Sequence, residues 1–193
     1  MNIIPARLSG VFLLQPVMHR DARGFFMESF NRRVFGQLLG LEPEFVQINH
    51  SHSRRGVLRG LHYQITKPQG KLVKVVRGEI FDVVVDLRPQ SATFGTWESF
   101  QLSEQNQNQL WVPPGFAHGF AVVSEDADVI YGVTDYYDPV DERCIVWNDV
   151  RLGIPWPVQH PLVSRKDAQG LTLAQAEAEI RNRPMEAGHG AAR

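Results

Sequence analysis

The sequence predicts a mainly β protein, a jelly-roll barrel with a few short flanking helices. Three observations carry this expectation. Short apolar runs rich in β-branched residues recur along the chain. Gly, Pro and Asn punctuate them at fairly even intervals. Helical patterning is confined to two short stretches. Many evenly spaced strands with few helices argue for a sandwich or a closed barrel, and a jelly roll fits best.

Taken in order, the first helix is expected over residues 32–39, with Asn31 as its N-cap. Residues 72–76 and 80–87 flank Gly78 and read as a hairpin-like pair. Residues 110–113 and 119–123 flank a Pro-Pro-Gly turn, and 129–133 and 144–147 are two further strands. A second helix is expected over residues 173–180, capped by Thr172. Residues 1–181 read as one domain without a linker or an internal repeat. Residues 182–193 contain Pro184, two glycines and several alanines, which predicts a disordered tail.

The bulk numbers exclude several classes. The 193 residues are enough for one sizeable core, and 43% hydrophobic with 21% charged residues is ordinary for a soluble protein. With 20 basic against 21 acidic residues there is no general attraction to nucleic acid or to an anionic membrane. An anionic ligand must therefore be held by a local cluster of charge. No apolar run reaches the ~18 residues of a membrane span, and the N-terminus lacks a signal-peptide pattern. The single cysteine, Cys144, has no internal partner, which fits a reducing compartment, and the cytoplasm is the expected location.

The stretch from Gly56 to Gly78 carries the most chemistry. His62 follows Gly56 with five residues between, and Lys71 precedes Gly78 with six between. That frame resembles the first motif of the cupin superfamily, small β-barrels whose pocket usually holds a metal, and it makes the expected barrel cupin-type. The usual ligand set is altered. Gln64 stands where a second histidine would be, and Lys71 stands near where a glutamate would be. His118, in P-x-G-x-x-H, matches the second cupin motif. A cation beside the site disfavours a divalent metal, so no metal is expected there.

The wider sequence resembles the dTDP-4-dehydrorhamnose 3,5-epimerase family over about residues 4–167. The matching segments are D-A-R-G-F-F-M-E at 21–28, Q-I-N-H-S at 47–51, V-L-R-G-L-H-Y-Q at 57–64 and Q-G-K-L-V at 69–73. They continue with D-V-V-V-D-L-R at 82–88, S-A-T-F-G-T-W at 91–97, P-P-G-F-A-H-G-F at 113–120 and Y-G-V-T-D-Y-Y at 131–137, then W-N-D at 147–149 and S-R-K-D at 164–167. Their order and spacing together are far more specific than any one of them.

The resemblance implies a 4-keto-6-deoxyhexose carried on thymidine diphosphate. Carbons 3 and 5 flank the C4 ketone, so a proton on either is acidified, and inversion requires a base, an enolate stabiliser and a proton donor on the other face. No redox cofactor is called for. His62 is the candidate base, since its ordinary pKa of about 6.5 lies near working pH. The resemblance gives it Asp167 as orienting partner, Lys71 as the cation at the enolate oxygen and Tyr131 as the proton donor. On a strand, Lys71 and Lys74 point to opposite faces. The family commonly has lysine after Tyr131; this chain has Gly132, at a position whose side chain points away from Tyr131.

For binding, the resemblance implies ligand contacts by Arg23, Glu28, Gln47, Asn49, Arg59, His118, Glu142 and Lys166, with Tyr137 stacked on thymine. Arginine suits a diphosphate because its planar fork donates paired hydrogen bonds. Arg59 lies three residues before His62, on the opposite face of a regular strand, but Gly60 between them suits a bulge that re-aims a side chain. In the family the Arg23 region reaches across to a neighbouring subunit, which implies a homodimer.

Three alternatives stand beside this reading: a mono-epimerase of an antibiotic deoxysugar pathway, a nucleotide-sugar binding module without turnover, and a metal-dependent cupin enzyme. His50 and His52 form an H-x-H pair, and alternate residues share a face wherever the chain is extended, but their neighbourhood, N-H-S-H-S-R-R, is polar and basic with no nearby carboxylate in sequence.

Overall fold

The computed structural model describes residues 1–40 and 42–182. In chain order the elements are β1 (Asn2–Pro5), β2 (Phe12–Gln15), β3 (His19–Asp21), β4 (Gly24–Phe26), α1 (Arg32–Leu39), β5 (Gln47–Arg54), β6 (Leu58–Gln64) and β7 (Lys71–Asp86). There follow β8 (Trp97–Ser103), β9 (Gln109–Val112), β10 (Phe116–Val133), β11 (Glu142–Cys144), α2 (Arg165–Ala168) and α3 (Leu173–Arg181).

Two long antiparallel strands, β7 and β10, organise the barrel by changing partners along their length. The first part of β7 pairs with β9, from Lys71 opposite Val112 to Lys74 opposite Gln109. Its second part pairs with β8. The first part of β10 pairs with β6, and its second part pairs with β5. One half of the barrel is therefore β1-β2-β9-β7-β10-β5, and the other is β8-β7-β10-β6-β11. This is the jelly-roll, cupin-type class the sequence predicts.

Strand alternation sorts the side chains into three clusters. Val73, Val75, Ile80, Val84, Leu110, Val112, Phe116, Phe120 and Val129 meet in the barrel interior. The intervening Val83, Val85 and Ala117 face outward and are covered by Leu152 and by Leu173 and Ala176 of α3. Leu72 and Trp111 also face outward, under Phe35 of α1 and Phe45. Each fully buried aliphatic side chain contributes about 1.5–3 kcal/mol.

Both expected helices form, with the expected caps. Asn31 Oδ1 accepts the Val34 N–H, and Thr172 forms a reciprocal capping box with Gln175. The Pro-Pro-Gly turn joins β9 to β10. The hairpin-like pair about Gly78 does not form, because β7 runs through that residue as one strand. Gly78 has φ +73°, and a Cβ there would lie 1.9 Å from the Asp126 carbonyl oxygen. It thus marks a bend with a register shift against β10, not a reversal. Residues 119–123 and 129–133 are likewise parts of one strand, β10. Among the described residues no helix is long and apolar enough to cross a membrane. The expected tail lies outside the described residues, apart from Asn182, which caps α3.

Candidate active site

One end of the barrel interior is polar. There the inward positions of β5, β6, β7 and β10 carry hydrogen-bonding groups in place of aliphatic ones. Gln47, Asn49, Arg59, His62, Lys71, His118, Tyr131, Tyr137 and Glu142 line a single cavity of about 300 Å³. Ser51, Gln69, Gly119 and Phe120 complete its wall. An adjoining cavity of about 340 Å³ shares Arg59, His62, Tyr137 and Glu142 and adds Ser164, Lys166 and Asp167. Lys71 continues the inward row of Val73 and Val75, and Lys74 does not reach the cavity.

His62 on β6 and Asp167 on α2 are in contact, with Nε2 and Oδ1 2.7 Å apart. Ser164 caps the short helix and accepts the Asp167 N–H at 3.0 Å. Burial acting alone would raise the Asp167 carboxyl. The His62 ring, the Gly60 N–H and Ser164 overcome it and hold the group below its ordinary value. With Nε2 turned to Asp167, Nδ1 is the ring nitrogen left to take a proton. The thiol of Cys144 lies within 4.8 Å of this pair, and burial pushes it up to about 12, so it stays protonated.

Gly60 explains how Arg59 and His62 serve the same cavity. Phe120 pairs with Arg59 and His118 with His62, so Gly60 and Leu61 together face Gly119 in a bulge. Gly60 has φ +109°, and a Cβ there would lie 2.6 Å from both the Gly119 Cα and the His118 carbonyl oxygen. The bulge turns Arg59 inward, where its Nε donates to Ser53 Oγ at 2.9 Å.

Lys71 is buried, and its Nζ donates to the His62 carbonyl at 3.3 Å. Burial pushes the ammonium down to about 8, with the negative charge of Asp82 opposing. Tyr131 is raised by burial, with the positive charge of Arg59 opposing, so its phenol holds its proton at neutral pH. A Cβ at Gly132 would lie 3.1 Å from the Phe45 ring, in the outer cluster, so this position does point away from Tyr131. His118 is buried and its Nε2 lies 3.0 and 2.8 Å from the two oxygens of Asp82.

At the outer lip, Glu142 binds both Lys166 Nζ and the Tyr137 hydroxyl, the latter at 2.9 Å. Gln47 Nε2 donates to Asn49 Oδ1 at 2.7 Å, and Gln47 Oε1 accepts the Tyr137 N–H at 3.1 Å. Arg23 and Glu28 are not brought to either cavity of their own chain. Arg23 projects from the β3–β4 hairpin with 90% of its side chain exposed and pairs with Asp21, and Glu28 binds Asn31.

Three groups escaped the sequence reading. Ser51 Oγ has no hydrogen-bond partner among the described residues and faces the cavity. Ser51, Gln69 and Asp82 were each visible only as part of a motif. Asp82 gave one further signal, an acidic residue on the inward row between Ile80 and Val84.

The cupin ligand positions do not suit a divalent metal. His62 and His118 each keep one ring nitrogen free of their carboxylate partners, but Lys71, where a ligating carboxylate would stand, is a buried amine. Gln64 is committed elsewhere: its Nε2 donates to the Lys67 and Tyr136 carbonyls and its Oε1 accepts the Asp138 N–H. It ties the loop bearing Tyr137 to the barrel. The H-x-H pair does have a carboxylate, contrary to the sequence reading. Asp128, supplied by β10, sits 2.9 Å from His50 Nε2 and 3.2 Å from His52 Nδ1. Strand pairing brings it there from far along the chain.

Comparison with known proteins agrees with this geometry. A model of the dTDP-4-dehydrorhamnose 3,5-epimerase family matches residues 5–175. The chain is 55% identical to the dTDP-4-dehydrorhamnose 3,5-epimerase of Pseudomonas aeruginosa over 168 residues, 86% of this chain and 93% of the relative. It is 50% identical to the enzyme of that name from Shigella flexneri over 178 residues, 92% of this chain and 98% of the relative. A solved dTDP-6-deoxy-D-glucose-3,5-epimerase from Legionella pneumophila, in complex with dTDP-4-keto-L-rhamnose, superposes with a TM-score of 0.90 at 47% identity, covering 93% of this chain and 96% of the other. On sequence and structure alike, this chain belongs to the dTDP-4-dehydrorhamnose 3,5-epimerase family.

Proposed function

We propose that this chain epimerises dTDP-4-dehydro-6-deoxy-D-glucose at C3 and C5, giving dTDP-4-dehydro-L-rhamnose on the route to dTDP-L-rhamnose. The carrying observation is the histidine–carboxylate pair in one cavity with a buried lysine and a protonated tyrosine. His62 removes the proton next to the C4 ketone, and Asp167 holds the ring and stabilises the imidazolium that forms. Lys71 donates to the enolate oxygen from a buried position, where a fixed cation is most effective. Tyr131, on a different strand from His62, returns a proton to the other face of the carbanion. The electron pair stays on the substrate throughout, so the chemistry calls for no redox cofactor.

Arg59 binds the diphosphate. Gln47, Asn49, His118, Glu142 and Lys166 hold the sugar and nucleoside, with Tyr137 against thymine. Arg23 and Glu28 act in a homodimer, each hairpin serving the neighbouring subunit's cavity. Their distance from their own cavity supports this, as does the exposure of Phe25 and Phe26 beside Arg23. The cytoplasm suits a chain whose single thiol has no internal partner.

Turnover in deuterated buffer tests the reading. Label is expected at both C3 and C5 of the product. Label at one carbon alone makes the chain a mono-epimerase, and substrate binding with no exchange makes it a binding module.

A further inference from the structure

We propose that Asp82, which does not line the cavity, is a positioning residue that fixes His118 with Nε2–H turned inward and Nδ1 toward the sugar, and that supplies the negative charge facing Lys71. This role presupposes the epimerase activity of the cavity.

Asp82 lies on the inward row of β7 between Ile80 and Val84, and all three are fully buried. An aliphatic residue would suit that row better, because a buried carboxylate is unfavourable unless it is fully bonded. Burial indeed raises the Asp82 carboxyl, and His118 and Lys71 are the groups that oppose the rise. The carboxylate is therefore placed at a cost to stability, and both residues it acts on line the cavity.

The His118 contact fixes a tautomer. When the Asp82 carboxyl is ionised it accepts hydrogen bonds only, and the ring nitrogen between its two oxygens then carries the proton. Nδ1 is then the ring's acceptor, matched to a sugar hydroxyl.

The Lys71 contact is one of charge. The Lys71 Nζ donates to the His62 carbonyl, Asp82 opposes the lowering of its ammonium, and Arg59, His62, His118 and Tyr131 line the same cavity as Lys71. Glu142 also lines the cavity but is taken by Lys166 and Tyr137. Asp82 is thus the carboxylate that offsets the Lys71 charge.

Asp82→Asn removes the charge with little change of shape, and Asp82→Leu removes the acceptor as well. In the full-length enzyme, Asp82→Asn is expected to lower kcat about 10–100-fold with KM within about threefold, as for outer partners that orient reacting groups. The alkaline limb of its pH profile is expected to move to lower pH, because Lys71 gives up its proton sooner. In the native enzyme, 15N spectra of His118 are expected to show Nε2 protonated and Nδ1 bare. A folded Asp82→Asn enzyme with native kcat and an unmoved limb overturns the role, and so does an Nδ1–H tautomer in the native protein. If neither variant folds, the native 15N spectrum decides alone. Deuterium wash-in by the native enzyme reports separately on the epimerase reading, so the two failures are distinguishable.

Discussion

His62 Nε2 lies 2.7 Å from Asp167 Oδ1, although 105 positions separate the two residues in the chain. The strand supplies the base and a short capped helix supplies its partner. Asp167→Asn keeps the shape but reverses the hydrogen-bond preference of one side of the contact, favouring the wrong imidazole tautomer. A loss of kcat on the order of 10²–10⁴ is expected, with substrate affinity little changed. Steady-state kinetics beside a direct measurement of dTDP binding checks this; an equal loss in both would point to collapse of the site instead.

Tyr131→Phe separates proton removal from proton return. His62 still forms the enolate and can hand the proton back on the side it came from. The variant is therefore expected to exchange substrate hydrogen with deuterated solvent while product formation falls at least about 10²-fold. Nuclear magnetic resonance of recovered substrate reads both quantities. Full inversion at native rate would remove Tyr131 from the mechanism.

Lys71 couples activity to stability. Its ammonium titrates at about 8 in the folded protein against 10.5 ordinarily. Between those values the unfolded chain holds more protons, so stability rises with pH across that window and the cost of the buried cation is fully present below it. Lys71→Met is expected to raise stability by roughly 2–3 kcal/mol at pH 7, with the gain shrinking from about pH 8 upward. Activity should move the other way: kcat/KM of the native enzyme declines above about pH 8 as the cation is lost, and the variant loses about 10²-fold or more throughout. Thermal melts and rate profiles over the same buffers test both signs.

The sequence revealed His62, Lys71, His118 and Tyr131 because each sits in a spaced motif. It concealed β5, and for a physical reason. The inward positions of that strand are Gln47, Asn49, Ser51 and Ser53, polar because three of them line the cavity, so the apolar alternation that betrays a strand is missing. The break at Gly78 was misread because a bend and a reversal both call for a glycine at positive φ. Asp82, and Asp128 beside His50 and His52, were hidden because strand pairing alone decides which distant carboxylate faces which histidine.

Asp86 anchors the loop that carries the S-A-T-F-G-T-W motif. It accepts from Arg88 Nη2, Ser91 Oγ and Thr93 Oγ1, each at 2.6 Å. Burial acting alone would raise its carboxyl, but these partners and the Arg88 N–H bring it to about 2. The folded value is depressed, so this stabilisation is complete above the ordinary 3.8 and disappears as pH falls toward 2. Asp86→Asn is expected to lower stability by about 2 kcal/mol at pH 7, and the gap to the native protein should close between about pH 4 and 2. Denaturant titrations at several pH values measure this. A gap independent of pH would mean that the charge is not what matters.

Gly60 is the backbone position on which the site geometry depends most. Its bulge lets Arg59 and His62 reach one cavity, and its N–H donates to Asp167 Oδ2 at 3.3 Å. A methyl group at this residue meets the Gly119 Cα and the His118 carbonyl, both backbone atoms, so no side chain can swing away to relieve the contact. A positive φ adds to the difficulty for any L residue. Gly60→Ala is expected to cost more than about 2 kcal/mol and to reduce kcat and diphosphate affinity together, since it displaces base and arginine at once. Gly40→Ala is the control, because φ is also positive there while nothing lies within 4 Å of the added Cβ. If both variants lose stability equally and turnover survives in each, the close approach of β6 and β10 at Gly60 is not what aligns the site.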